Sequence, residues 1–395
     1  MDPVTLGWCV QELDTLSEFL DQTNAKGFII LHRGRIAYEE YFDSFAPDSV
    51  WYWASAGKSL TAVLVGMAEE QDLLSINDKT SDYLGSGWTS APQNKEDLIT
   101  IKDQLQMTTG LDYTVPDLNC LSDSCLLYKN DAGTYWFYHN APYRLLQDVV
   151  ESASGKAYNQ FTFEKMTPIM GITGLWINYV FYSNARSMAR FGLLALSDYE
   201  WGSIKMLNHP AYIQNMTQPS QSYNEAYGYL WWLNGQSTYR QPGIDFPFNG
   251  PIIPSAPADL YMAAGKNEQR IYIVPSEDLV VVRIGEAADQ SLPALSGFDT
   301  DLWKLMSDLM CKNTGIVDLP EEKLSIYPNP ASEYVEINPW SQGDRAELWS
   351  MSGQKISISG SIEKGRFTVR DIPQGLYLLK VYNKEGVHST RLNIY

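Results

Sequence analysis

Ser55 and Lys58 stand three residues apart at the head of an apolar run, a pairing suited to nucleophilic chemistry. On a helix that spacing gives a shared face, so the lysine amine can reach back to the serine hydroxyl. A serine hydroxyl is a weak nucleophile until a base takes its proton. Free lysine is protonated at neutral pH, so Lys58 acts as a base only where burial or a neighbouring cation lowers its pKa. Trp51, Trp53 and the apolar stretch Leu60 to Ala68 could supply that burial. The unpaired N–H groups of a first helical turn would also favour developing negative charge. The S-x-x-K tetrad alone is common, and the bland alternative is a Ser55 that caps the helix with Lys58 at the surface.

Tyr138-His139-Asn140 is the second candidate cluster. If the stretch is extended, Tyr138 and Asn140 share one side and His139 turns away. Tyr138 could then bridge Ser55 and Lys58, while Asn140 could donate to a substrate carbonyl or hold Lys58. One tyrosine among 25 carries little weight by itself. His32, His139, His209 and His388 are scattered, with no H-E-x-x-H and no paired-cysteine spacing, and no glycine-rich phosphate loop occurs. The chain therefore predicts no metal and no cofactor, and His139 reads as structural.

The elements that must position these groups alternate between helix and antiparallel hairpin. Residues 11 to 20 place Leu13, Leu16, Phe19 and Leu20 on one helical face. Gly27 to Leu31 and Ile36 to Phe42 read as a hairpin about Arg33-Gly34. Leu60 to Ala68 is too long for a strand and predicts a helix buried on most sides. A surface excursion from Asp78 to Gly87 and a short helix from Ile99 to Met107 follow, and residues 111 to 135 form a long polar loop of the kind that walls active sites. Tyr143 to Ser152 and Ser187 to Leu196 are helical in pattern; Arg270 to Val274 and Leu279 to Ile284 form a second hairpin; Phe298 to Met310 closes with a helix. This is an α+β arrangement.

At 395 residues the chain exceeds one average domain. A domain at 1–315, a linker at 316–323 and a small all-β sandwich at 324–395 fit the change from mixed elements to short alternating runs. The net charge of -18 lies wholly before residue 321, because the remainder carries nine acidic and nine basic residues. A negative field without a basic patch argues against nucleic acid and anionic membrane surfaces as partners. No run of eighteen apolar residues predicts a transmembrane helix. Cys120 and Cys125 are close enough for a local bridge, and Cys9 with Cys311 would staple the first domain if its terminal helices pack together; buried thiols are the alternative for each pair. Met1-Asp2-Pro3 begins no signal peptide, so export would need a leader outside this sequence.

Trp53-Ala54-Ser55-Ala56-Gly57-Lys58-Ser59, Leu105-Gln106-Met107-Thr108-Thr109-Gly110-Leu111 and Tyr138-His139-Asn140-Ala141-Pro142-Tyr143 occur in an order and spacing that resemble the serine β-lactamase and penicillin-binding-protein superfamily, in its class C β-lactamase and esterase branch. No G-x-S-x-G elbow supports a Ser-His-Asp alternative. The resemblance spans about Gly27 to Gly285 and implies an antiparallel sheet flanked by helices with an all-helical subdomain. It also implies Ser55 as the acylated nucleophile, Lys58 as base or proton relay, Tyr138 as base for acylation and activator of the deacylating water, and Asn140 as orienter of substrate and lysine. The N–H of Ser55 would form half of an oxyanion hole and that of Lys266 the other half. The family's third motif, a Lys-Thr-Gly or His-x-Gly segment, finds its best match in Ala263-Ala264-Gly265. Gly265 permits close approach of a substrate backbone, but Ala263 supplies neither cation nor imidazole unless Lys266 or Arg270 reaches in. Candidate pocket walls are Trp51, Trp53, Tyr113, Trp136 and Tyr227, each also suited to core packing.

Ile326-Tyr327-Pro328-Asn329-Pro330-Ala331, Met351-Ser352-Gly353-Gln354 and Gly375 to Val381 resemble the C-terminal sorting domain of the type IX secretion system of Bacteroidetes. That implies the secretion machinery as a partner, passage through the periplasm, and release or surface anchoring, with removal of the tail; an accessory glycan- or substrate-binding sandwich is the alternative. The expected function is hydrolysis of small, uncharged esters or amides through an acyl-enzyme. Hydrolysis of β-lactams or D-amino-acid peptides, and a catalytically silent binding protein, are the alternatives.

Overall fold

The computed structural model describes all residues except 245, 289–294, 296, 313–324, 342, 351–353, 359–361 and 384–385, and the side chains of 386–389. The expected linker at 316–323, most of the Met351 to Gln354 segment and the side chain of His388 lie outside the described residues. The chain divides into two compact units, Met1–Asn313 and Thr314–Tyr395.

The first unit is built on a six-stranded antiparallel sheet ordered Arg35–Tyr41, Ala25–His32, Leu279–Gly285, Gln269–Val274, Tyr261–Gly265, Trp232–Leu233. The β-branched run Val280-Val281-Val282 is buried throughout and pairs with Ile29, Ile30 and Leu31 of the first hairpin. This register brings the two ends of the unit side by side, since Ala25 lies opposite Gly285. The Ala185–Leu196 helix packs on one face: a Cβ on Gly192 would lie 2.5 Å from Val280 and 2.8 Å from Ile271. Strand alternation sends Arg270 and Tyr272 to the opposite face, toward the Gly297–Leu309 helix. There the first and last helices of the unit meet, with Phe19 stacked on Phe298 and Cys9 bonded to Cys311.

The helix at Gly57–Glu70 is buried on every residue from Gly57 to Ala68, as its apolar composition requires. With the helices at Ile101–Gln106, Asn140–Ser154 and Tyr158–Met170 it forms the helical side of the unit. Among the described residues, no helix is long and apolar enough to cross a membrane.

The second unit has a three-stranded sheet (Ser325–Tyr327, Tyr334–Asn338, Arg366–Thr368) and a four-stranded sheet (Lys355–Ile356, Arg345–Ser350, Gly375–Asn383, Gly386–Ile394). Alternate residues Val335 and Ile337, then Leu379 and Val381, fill its core.

Candidate active site

Lys58 Nζ lies 2.9 Å from Ser55 Oγ and 2.9 Å from Asn140 Oδ1. Ser55 belongs to a short 3-10 turn, Ala54–Ala56, that runs into the long buried helix, and Ala54 adopts a left-handed φ of 49° just before it. A non-glycine residue there is strained, and the turn that results carries Ser55 to the cleft surface. The helix begins at Gly57 with no side-chain cap bond, so the hydroxyl of Ser55 is left to Lys58 rather than spent on capping.

Lys58 is 3% exposed, and no carboxylate contributes to its titration. Burial first, and the Arg144 charge second, hold its amine well below the usual lysine range. Its surroundings are aromatic, with the Tyr143 and Tyr138 ring centroids at 4.0 and 4.8 Å. Tyr138 is shifted the other way. Burial raises its hydroxyl above the usual range, against smaller opposing effects of a hydrogen bond with Ser55 and the Arg270 charge. Burial thus acts on the two groups in opposite directions, disfavouring the charged form of each: the ammonium of Lys58 and the phenolate of Tyr138.

Asn140 opens the helix that follows the long loop. Its Nδ2 donates to Asn119 Oδ1 at 3.1 Å, so its carbonyl oxygen is turned to Lys58. The loop is tied down here: the N–H of Ala141 donates to the Leu118 carbonyl at 2.9 Å, and Cys120 is joined to Cys125 by a disulfide. His139 occupies the N-cap position of the same helix without a side-chain capping bond, 4% exposed, and burial lowers its imidazole to about 4.

Opposite the serine, Gly265 ends the Tyr261–Gly265 strand against the Ala54–Ala56 turn. A Cβ on it would lie 2.4 Å from the Trp53 carbonyl oxygen and 3.0 Å from the Ala56 nitrogen, so only glycine permits this approach. Ser55, Tyr138, Asn140, Ala264, Gly265 and Lys266 all line one cleft of about 800 Å³.

The family described as Beta-lactamase matches residues 14–285. The chain belongs to the beta-lactamase family. Among curated proteins none matches significantly. Solved structures that share the fold include a penicillin-binding protein homolog from Caulobacter crescentus, 12% identical, covering 76% of this chain and 98% of that one with a TM-score of 0.58. A class C beta-lactamase from Rhodobacter sphaeroides is 17% identical over 77% and 99% of the two chains, TM-score 0.54. A candidate 6-aminohexanoate-dimer hydrolase from Bacillus anthracis is 17% identical over 76% and 82%, TM-score 0.58. Residues 325–395 match the secretion system C-terminal sorting domain.

Several aromatic residues that sequence reasoning assigned to the pocket of this beta-lactamase-family unit lie elsewhere. Trp53 is fully buried and donates to Ser183 Oγ at 2.7 Å. Trp136 and Tyr227 are buried behind Trp232, at 6.3 and 4.8 Å between ring centroids. Trp51 packs on Phe45 and donates to the Gly285 carbonyl. Tyr113 stacks on Phe137 at 3.8 Å and lines a separate, very small hollow beside His139. Ala263 is fully buried, whereas its neighbours Ala264 and Gly265 reach the cleft. The aromatic wall is instead Trp232, stacked on Tyr138 at 5.6 Å, with Leu118 and Leu295 as further apolar lining. The dense run Tyr227 to Trp232 was the available signal for it. Arg270 does not enter the cleft; it is fully buried in an ion pair with Asp299.

Proposed function

We propose that the first unit is a serine hydrolase that acts through an acyl-enzyme on Ser55, with small, uncharged esters or amides as substrates. The observation that carries the reading is the contact of Ser55 Oγ with a buried Lys58 whose amine is held below its usual range. A neutral amine has one lone pair; with an N–H engaged by Asn140, that lone pair is free to accept the serine proton. As Ser55 Oγ bonds to the substrate carbonyl carbon, the oxyanion is held by the N–H groups of Ser55 and Lys266. Lys58 then returns the proton, by way of the Tyr138 hydroxyl, to the departing alcohol or amine. Water enters and loses a proton to the same pair as its oxygen bonds to the acyl carbon; the bond to Ser55 Oγ then breaks, the proton passes to Oγ, and the acid leaves. Asn140 orients Lys58 and the substrate.

The substrate class follows from the lining. Ala264, Trp232, Leu118 and Leu295 offer apolar contact, Glu268 and Glu286 bring negative charge, and Lys266 is the cation. An anionic group finds less support in such a cleft than an uncharged acyl chain. The lining supports an esterase of the class C branch as the reading; turnover of β-lactams or D-amino-acid peptides is the second enzymatic reading, favoured by Lys266 at the cleft. A silent binding protein is disfavoured by the depressed Lys58 amine, which such a protein has no use for.

The sorting domain supports export and interaction with the secretion machinery, with a secreted or cell-surface destination after the periplasm and removal of the tail at the segment between the units. A glycan-binding role finds less support. Among the described residues of this unit, Tyr327 and Tyr395 are the exposed aromatics, while Tyr334, Trp349 and Tyr382 lie under Arg366, Lys380 and Arg345.

Intact-mass analysis after exposure to a fluorophosphonate tests the reading. One adduct, mapped to Ser55 and lost in Ser55→Ala, is expected, together with turnover of 4-nitrophenyl acetate. An unlabelled, inactive wild-type protein overturns it.

A further inference from the structure

Arg270 and Asp299 form an ion pair with exposures of 0% and 1%. Nε and Nη2 of the arginine meet the two carboxylate oxygens at 2.8 and 3.1 Å, and Tyr272 Oη adds a third donor at 2.5 Å. Such a pair carries a large desolvation cost and is seldom a net source of stability, so its presence beside the cleft calls for another account. The remaining amine of the guanidinium supplies one: Arg270 Nη1 donates to the Gly265 carbonyl oxygen at 2.6 Å.

That carbonyl belongs to the same peptide group as the N–H of Lys266. In a trans peptide the C=O and N–H point in opposite directions. With the carbonyl turned inward to Arg270, the Lys266 N–H is turned outward. The edge it faces is open, because pairing with the Trp232–Leu233 strand stops at Met262. Ser55 and Lys266 line the cleft along this edge, and Gly265 holds the strand close enough that a Cβ would touch the nucleophile turn.

We propose that Arg270 is a positioning residue for the oxyanion hole: its buried guanidinium fixes and polarises the Gly265–Lys266 peptide, and so strengthens the Lys266 N–H as a donor to a developing oxyanion. The inference rests on the acyl transfer proposed for Ser55. A charge-assisted hydrogen bond at one end of a peptide strengthens the bond made at the other, most of all where water is excluded. Asp299 and Tyr272 keep the cation desolvated and aimed, and Arg283, paired with Arg270 in register, holds the carbonyls of Asn267 and Glu268 at 3.1 Å each, so the turn after Lys266 is fixed as well. The positive field absent at Ala263 is thereby delivered through the backbone rather than by a side chain in the cleft.

The test uses the full chain with 4-nitrophenyl acetate and its thiono analogue, whose sulfur is a poor acceptor for oxyanion-hole donors. Arg270→Gln combined with Asp299→Asn removes the cation without leaving a buried lone charge. We expect the oxygen-over-sulfur preference in kcat/KM to fall by about tenfold or more, with kcat affected more than KM and with thermal unfolding still cooperative; loss of a whole donor costs about 100-fold or more. Asp299→Asn alone keeps the guanidinium and is expected to retain the wild-type preference. An unchanged preference in the double variant overturns the proposal. Should that variant not fold, Arg270→Lys is read instead, since one ammonium on a shorter reach keeps the charge beside Asp299 but cannot reproduce the fork that also holds the Gly265 carbonyl: a tenfold fall upholds the proposal and an unchanged preference overturns it. A wild-type protein that neither hydrolyses the ester nor takes up the fluorophosphonate rejects the acyl-transfer reading instead.

Discussion

The side-chain amide of Asn140 is oriented by Asn119, whose Oδ1 accepts the Nδ2–H at 3.1 Å and so leaves the Asn140 carbonyl facing Lys58. Asn119 is itself oriented, because its Nδ2 donates to Asp117 Oδ1 at 3.2 Å. A carboxylate can only accept, so the direction of each amide along this chain is dictated from Asp117 inward. Asn119→Leu removes the acceptor and lets the Asn140 amide turn its NH2 to the lysine. The expected result is a fall in kcat/KM of about tenfold, the equivalent of one hydrogen bond. Asn119 is exposed, so the melting temperature should hardly move. Unchanged ester hydrolysis would contradict the assigned orientation.

Lys58 has an amine whose folded-state pKa is lowered, so the unfolded chain binds the extra proton. The sign follows: this group destabilises the fold below its lowered pKa, and the deficit shrinks as pH rises toward the free-lysine range. Lys58→Met should abolish turnover by about 1,000-fold or more while raising the melting temperature at pH 7. The gain should narrow in alkaline buffer. Scanning calorimetry at several pH values checks it; a Met variant less stable than wild type at neutral pH argues against an unpaired buried amine.

His139 titrates at about 4 in the folded protein because it is buried. An unfolded histidine takes its proton near 6.5, so folding stability contributed by the neutral ring is lost as pH falls from about 6.5 to about 4, up to about 3 kcal/mol. His139→Gln should flatten the decline of the urea midpoint over that window. Equal acid sensitivity in both proteins would assign the decline to other groups.

Gly265→Ala forces a Cβ into the space 2.4 Å from the Trp53 carbonyl oxygen. The edge strand must retreat from Ser55, taking the Lys266 N–H with it. Fluorophosphonate labelling and kcat should both slow by about 100-fold, with KM changed far less. Wild-type rates in this variant would show that the strand end is not part of the machinery.

The fold was legible where local chemistry decides structure. The almost continuously apolar run Leu60 to Ala68 has no stable home except a buried helix, and the β-branched segments about Pro275 to Asp278 have none better than a hairpin; both form, as Gly57–Glu70 and as the strands Gln269–Val274 and Leu279–Gly285. The aromatic wall was not legible, because tryptophans at 53, 136 and 232 are alike in sequence and differ only in which neighbours cover them. Arg270 was open to two readings for the same reason. Its partner Asp299 lies 29 residues away on a different element, and no local pattern announces such a pair. Asn119 was hidden in a loop without periodicity, although that loop was expected to wall the site.

The bond between Cys9 and Cys311 closes the beta-lactamase-family unit into a covalent ring across 302 positions of sequence. Every loop of the candidate site lies inside that ring, including the long polar one that carries Asn119. A protease that cuts such a loop once produces no free fragment: both pieces stay joined through the sulfurs and through the sheet in which the first and last strands pair. For a protein carried outside the cell, a first nick is then an injury that the molecule survives in one piece.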